Sequence, residues 1–543
     1  MKRTAITIIS GLMAVCGYAQ TAYDALLFSE NNYEGSARTV AMGNAFTALG
    51  GDLGAAGLNP ASTAVAGYSQ ITLTPALTIS ASTAQGVSPH ADGRLPYFER
   101  KMKSSMSKFN VPNLGMTINY DTHRTSGVRN ITFGFIVNRT ACWNEDVYAN
   151  GKNNSTSFMG AMAYEATVDG LTGADLGAAS AYDFMPWKPV VGYNSGMIST
   201  FGGYDDQFVG ASQVVYDNGD VILGGPIGQT YGRRVDGGKY DYLFNIGANI
   251  SDFIYIGANL GVTSLDYSYN EYFKEAAGDP GDFEIVLSNG ETIYFNEMKY
   301  KYSYNAVGNG FYGKFGVIVT PGNGIRIGAA IQTPTVNNMT EEWQQAGETS
   351  YTDARYNASA SSPYGTNSYK LVSPMRANFG VAYAFGQYGV ISADYEICDY
   401  STMRYKTSSY TGRDYFEDVN AEIRELFRAS HMFRAGAEFK PMPELAVRAG
   451  YGLTTSPEAC IECSSDLPSI QTQNVSLGLG YSSKNSFFAD LAVRRTFLPD
   501  EYFMPYADYR FNADGSINEN AYAPEILNEK SLWKVLLTFG WRF

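Results

Sequence analysis

From Ser531 to Phe543, bulky apolar side chains alternate with small or polar ones. Trp533, Val535, Leu537, Phe539, Trp541 and Phe543 fall on one face of an extended strand, and Lys534, Thr538, Gly540 and Arg542 fall on the other. One face suits lipid and the other suits water, the pattern of a closing strand in an outer-membrane β-barrel. The same period recurs upstream. Ile254, Ile256, Ala258, Leu260 and Val262 alternate with Tyr255, Gly257, Asn259, Gly261 and Thr263, and Leu445, Val447, Ala449 and Tyr451 alternate with Ala446, Arg448, Gly450 and Gly452. The alternation predicts fourteen strands, centred near Leu73, Met116, Phe135, Ile246, Leu260, Val317, Ala329, Phe379, Ala393, Ala437, Ala449, Leu477, Leu491 and Leu537.

The connections sort by parity. Ser251 to Phe253, Pro321 to Gly324, Gly386 to Gly389, Lys440 to Glu444 and Ser482 to Ser486 read as tight turns, while the links between them are long, the largest from about 142 to 234. Short periplasmic turns and long outer loops, with an even strand number that puts both termini in the periplasm, are the barrel habit. A secreted propeller would share the alternation but predicts blades of similar length and no lipid-suited last strand. The expected architecture is therefore an all-β, fourteen-stranded antiparallel transmembrane barrel over residues 67–543.

The amino terminus suits export. Lys2 and Arg3 precede the apolar run Ile6 to Val15, and Gly17, Tyr18 and Ala19 close the segment, so residues 1–19 read as a signal peptide cleaved after Ala19. Cys16 raises a lipoprotein reading, which Val15 before it disfavours. No later stretch offers eighteen consecutive apolar residues for a membrane-spanning helix. Tyr at 41 residues and Gly at 57, with 17% charged residues, favour β-structure with aromatic belts. A net charge of −14 argues against nucleic acid as a partner. Cys460 and Cys463 form a Cys-x-x-Cys pair in a loop-like stretch. An oxidised staple is the preferred reading, with metal or redox chemistry as the alternative that no second pair or His cluster supports.

Residues 20–66 are not β-like. The run from Gly35 through Arg38 and Gly43 to Phe46, then Gly50-Gly51-Asp52, and finally Asn59-Pro60-Ala61, is dense in small residues that permit close backbone packing. A flexible tail would not need the apolar anchors Val40, Met42, Phe46, Leu49 and Leu53, so an ordered plug in the lumen is expected. The Gly-x-Ala-Arg-x-x-x-x-Gly-x-Ala-Phe run closing on Asn59-Pro60-Ala61 resembles the amino-terminal hatch of the long-chain fatty-acid transporter family of outer-membrane proteins, the FadL and TodX type. Arg326-Ile327-Gly328 with Gln332-Thr333-Pro334, Asp394-Tyr395-Glu396 with Asp399-Tyr400-Ser401, and Val447-Arg448-Ala449-Gly450-Tyr451 with Ser456-Pro457 resemble later strands in the same order. The resemblance implies a hatch-plugged fourteen-stranded barrel, capture of hydrophobic ligands by apolar outer loops, and sideways exit through a gap in the wall. It also implies roles for Arg38, Gly43, Asn59, Pro60 and Ala61 in gating.

Three further features bear on ligands. The long loop after the third strand carries Phe158, Met159, Met162, Phe184, Met185, Trp187 and Phe201, an apolar load expected to be part miniature core and part adaptable groove for greasy molecules. Val419, Ile423, Leu426 and Phe427 lie at helical spacing and predict a short amphipathic helix over the outer mouth. Face assignment puts Lys314, Arg326, Arg376, Arg434, Arg448, Arg494 and Lys534 in the lumen with Asp394, Glu396, Glu438 and Asp490. They are expected to form cross-strand and hatch ion pairs, with one unpaired Arg as the alternative anchor for a ligand carboxylate. His90, His123 and His431 stand in no catalytic or metal-binding context, so no enzyme activity and no cofactor are expected.

The sequence thus points to passive uptake of hydrophobic molecules, such as long-chain fatty acids or similar lipids, by a monomer. Its expected partners are outer-membrane lipid and lipopolysaccharide, and the barrel-assembly machinery through the last strand. A docking barrel for protein export, or a receptor for haem or another hydrophobic ligand, is the alternative.

Overall fold

The computed structural model describes residues 20–87, 98–216, 221–407, 416–459, 469–484, 486–506 and 524–543. The expected signal peptide, and Cys460 and Cys463 with their expected staple, lie outside the described residues.

Period-two alternation has done what it predicts. Fourteen strands close into one antiparallel ring: β1 Gln70–Val87, β2 Met102–Asp121, β3 Val128–Asn153, β4 Ile227–Ile250, β5 Ile254–Ala277 and β6 Thr292–Gly322. They are followed by β7 Ile325–Gln332 continuing as Thr335–Tyr351, β8 Gly365–Ser373 continuing as Arg376–Ala384, and β9 Gly389–Asp399 continuing as Arg404–Thr407. The remaining strands are β10 Ala429–Met442, β11 Leu445–Thr455, β12 Ile470–Ser482, β13 Phe487–Phe497 and β14 Glu525–Arg542. Pairing of Ile71 with Trp541 and Leu73 with Phe539 joins β1 to β14 and removes the last free edge. Each predicted strand centre lies in its own strand.

The outward face of β14 is apolar and exposed at Trp533, Val535, Leu537, Phe539 and Trp541, whereas Lys534, Leu536 and Thr538 are buried inside. An apolar outer belt over strands with no free edge is what a bilayer requires of a spanning sheet. Among the described residues no helix is long and apolar enough to cross a membrane.

One boundary differs from the sequence expectation. The largest connection is 154–226 and not 142–234, because the β3–β4 ladder continues from Cys142↔Gly238 up to Asn153↔Ile227. Beyond the bilayer the outward side chains no longer need to be apolar, so the alternation that betrays a strand fades while its backbone pairing persists. β6, at 31 residues, shares this tall wall.

Residues 20–66 lie inside the ring. Helix α1, Ala22–Ser29, starts in a capping box between Thr21 and Asp24 and packs Phe28 against Tyr267 and Trp143 in the half nearer the long loops. The chain then descends through α2, Ala37–Ala41, a 3-10 turn at Leu53–Gly57 capped by Asp52, and α3, Ser62–Val65. Val40, Met42, Phe46, Leu49 and Leu53 are all buried.

Candidate functional site

The barrel wall is notched to receive the plug. A Cβ built on Gly316 would overlap the Asn59 side chain, on Gly257 the Pro60 carbonyl, on Gly328 the Thr47 carbonyl, and on Gly436 and Gly450 the Met42–Gly43 backbone. Inward glycines therefore let plug backbone lie directly on strand backbone. Asn59 donates its amide to Thr47 O at 2.7 Å and Val317 O at 3.1 Å and accepts from Ala61 N at 3.0 Å, so one side chain closes the Asn-Pro-Ala turn and ties it to β6. Gly43 has φ of +63° with strand backbone from Tyr451 where a Cβ would stand, so no other residue fits that position without strain.

Charges fix the same interface. Arg38 of the plug donates to Glu438 at 2.9 Å, Glu438 also accepts from Arg448 at 2.6 Å, and Arg448 donates to Asp490 at 2.5 Å. Lys534 pairs with Glu34, both about 1% exposed, and Arg326 donates to Leu49 O at 2.6 Å while Lys314 donates to Gly57 O at 2.7 Å. Such buried ions hold only because each gains a partner; removal of one strands the rest.

Against the plug lies a cavity of about 340 Å³, lined by plug residues 30–33, 43 and 44, by Glu145 of β3, and by β8 to β14 and their loops. Arg376, Arg434 and Arg494 all reach it, whereas Arg326 and Arg448 serve the plug instead. Glu396 is shared between Arg376 at 3.1 Å and Arg434 at 3.2 Å. Arg434 lies over the Tyr33 ring at 5.7 Å, and Arg494 donates to the Tyr33 carbonyl at 3.2 Å. At the mouth, Glu145 and Glu501 both take Arg233 and Lys530, at 2.5 to 2.9 Å. Burial, reinforced by nearby Glu30, holds the Glu458 carboxyl above the usual carboxylate range.

The apolar loop residues do not join this cavity. Phe158, Met159 and Met162 are fully buried in a core built around α4, Phe158–Val168, and the half-buried Trp187 lies 5.9 Å from Trp343. Met185 and Phe201 are half-buried and Phe184 is exposed. The amphipathic helix, α5 at Glu417–Leu426, forms as expected, with Ile423 and Phe427 buried and Phe427 edge-on to Tyr23 of α1 at 5.6 Å. Sequence reasoning missed Tyr33, Gln471, Asn474, Glu501 and Lys530 on the cavity wall, since isolated polar residues in loops and strand ends carry no periodic signal.

A seam interrupts the wall between β2 and β3. The β2–β3 ladder runs only from Asp121↔Asn130 to Asn113↔Asn138 and stops at Pro112, which has no N–H to give. Above it β3 turns inward: residues Asn138 to Ala141 are all buried, with a bulge between Arg139 and Ala141, and the plug backbone bonds there through Asn32 N to Thr140 O at 2.6 Å and Glu34 N to Arg139 O at 2.9 Å. Higher still, β2 and β3 meet through side chains. Asn144 donates to Met106 O at 3.2 Å, Ser104 donates to Asp146 O, and Lys108 pairs with Asp236 of β4.

No family model and no curated protein sequence matches the chain. Solved structures do. A FadL homologue from Pseudomonas aeruginosa is 12% identical over 94% of this chain and 99% of its own, with a TM-score of 0.49. The toluene transporter TodX of P. putida is 11% identical over 95% and 99%, also with a TM-score of 0.49, and the toluene transporter TbuX of Ralstonia pickettii is 12% identical over 95% and 100%, at 0.45.

Proposed function

We propose that the protein is an outer-membrane channel through which hydrophobic molecules pass sideways between lumen and bilayer, with long-chain fatty acids or similar lipids as cargo. The observation that carries this reading is the pairing of a filled lumen with an interrupted wall. Residues 20–66, wedged into glycine notches and ion-paired to β10 and β14, obstruct the straight aqueous route that a porin needs. The β2–β3 seam replaces a backbone ladder with a few side-chain bonds, and beside it Phe109 and Val111 present apolar surface outward. A path that opens into hydrocarbon admits only molecules that dissolve there. The seam also adjoins the cavity, because Glu145 lines the cavity while the carbonyl of Asp146 takes Ser104.

The test is a pair of cysteines, Ser104→Cys with Asp146→Cys, across the seam. Cells or proteoliposomes carrying the oxidised protein are expected to take up labelled oleate at the background rate, and reduction is expected to restore uptake. Equal uptake in the presence and absence of the protein sinks the reading. A secreted protein that co-purifies in place of lipid would favour a docking role.

A further inference from the structure

The charges on the cavity wall do not cancel pair by pair. Glu145, Glu501 and Lys530 are satisfied among themselves and by Arg233. Glu396 serves two guanidiniums, and its other contacts are Asn378 at 2.8 Å and the Tyr33 hydroxyl at 3.4 Å. What remains is Arg494, offset in part by Glu34 of the plug, the second of the two guanidiniums that share Glu396, and a set of carboxylates. Arg494 is 3% exposed, gives a single hydrogen bond to Tyr33 O, and leaves Nε and Nη2 without acceptors; Nε of Arg434, which shares the Tyr33 platform, is also unpaired. A buried guanidinium with two idle N–H groups is costly to keep dry unless something accepts from it. On the same lining and among the described residues, Glu458 has no cationic partner, and the Glu30 carboxylate accepts one hydrogen bond, from the Gln471 amide at 2.9 Å, with Lys239 and Arg376 nearby but not in contact with it. The lining as a whole counts six Asp and Glu against four Lys and Arg, which does not suit a purely anionic ligand.

We infer that this cavity receives the zwitterionic head of a single-chain amphiphile: its anionic group accepts from Arg494 and Arg434, and its ammonium group donates to Glu458 and Glu30. The inference rests on the sideways-passage reading, since the cavity has room for a head group and the tail must run toward the β2–β3 seam at Glu145 and Asp146. Fixed charges of both signs hold such a head more tightly than a neutral hydrocarbon, a plain fatty acid or an amine, because each of these leaves one end of the cavity unpaired and so passes through more weakly bound.

The experiment is titration of the purified full-length protein, in a non-ionic maltoside detergent, with lysophosphatidylethanolamine, dodecanoate, dodecylamine and the dipeptide Gly-Leu. Lysophosphatidylethanolamine is expected to bind about tenfold or more tighter than any of the other three. Arg494→Gln is expected to weaken lysophosphatidylethanolamine and dodecanoate by about tenfold and leave dodecylamine unchanged, and Glu458→Gln is expected to weaken lysophosphatidylethanolamine and dodecylamine and leave dodecanoate unchanged. Equal affinity for the first three probes overturns the inference, as does dodecanoate binding as tightly as the zwitterion with no effect of Glu458→Gln. Tight binding of Gly-Leu overturns the amphiphile. Heat-modified gel mobility of each variant confirms a folded barrel. Oleate uptake that persists in wild type while head-group selectivity is absent removes this inference alone and leaves sideways passage standing.

Discussion

Asn59 is the residue on which the seating of the plug turns, because its amide bridges two plug turns and a wall strand while its neighbour Pro60 rests on Gly257. Gly316→Ala would drive a methyl group into that amide. The expected cost is about 1–3 kcal/mol, read as a lower urea midpoint for unfolding from vesicles. Asn59→Ala in the same background should recover part of it, since residues in contact show coupling of about 0.5–3 kcal/mol. Additive losses would mean that the two groups do not meet. A second residue-scale prediction concerns Glu438. Glu438→Gln leaves Arg38 and Arg448 sharing a neutral amide and is expected to cost about 3–5 kcal/mol, with the 20–66 segment becoming protease-sensitive. Arg38→Gln keeps the Glu438–Arg448–Asp490 chain and should cost less.

At the scale of elements, the strands were legible and the routes between them were not. Alternation survives translation into structure because a bilayer-facing strand must keep apolar side chains outside and cannot afford a register slip, so Leu73 through Leu537 each mark a real strand. The ion pairs of Arg38, Glu438, Arg448 and Asp490 follow from face assignment, but the identity of each partner depends on stagger between strands, which period-two reading does not supply. The cavity escaped for a related reason: Tyr33, Gln471 and Lys530 lie far apart in the chain and meet only through closure of the ring. Phe158, Met159 and Met162 show a different limit, because apolar residues in a long outer loop look alike in sequence whether they cover one another, as these three do, or await a ligand. The seam makes an element-scale prediction of its own. Pro112→Ala restores a donor to β2 and is expected to slow oleate uptake without lowering stability. An unchanged uptake rate would place the opening elsewhere.

For the whole molecule, the plug and the ring form one packed body, and current through the channel should report it. Single-channel recordings on the intact protein are expected to show little conductance. A variant lacking residues 21–60 should form a wide, ion-conducting pore if its strands still close. The row of glycine notches carries a further consequence for how the chain is built. Gly257, Gly316, Gly328, Gly436 and Gly450 come from five different strands, yet each is shaped to one segment, residues 42–61, that precedes all of them in the chain. A ring closed first would leave a wide tube whose flat inner patches gain nothing until the segment threads in from one end, past Arg38 and its partners. The notches need no threading if the amino-terminal segment serves as the mandrel and the later strands are laid around it until β14 meets β1; the expected outcome is that the variant lacking residues 21–60 gains heat-modifiable gel mobility more slowly than the intact chain.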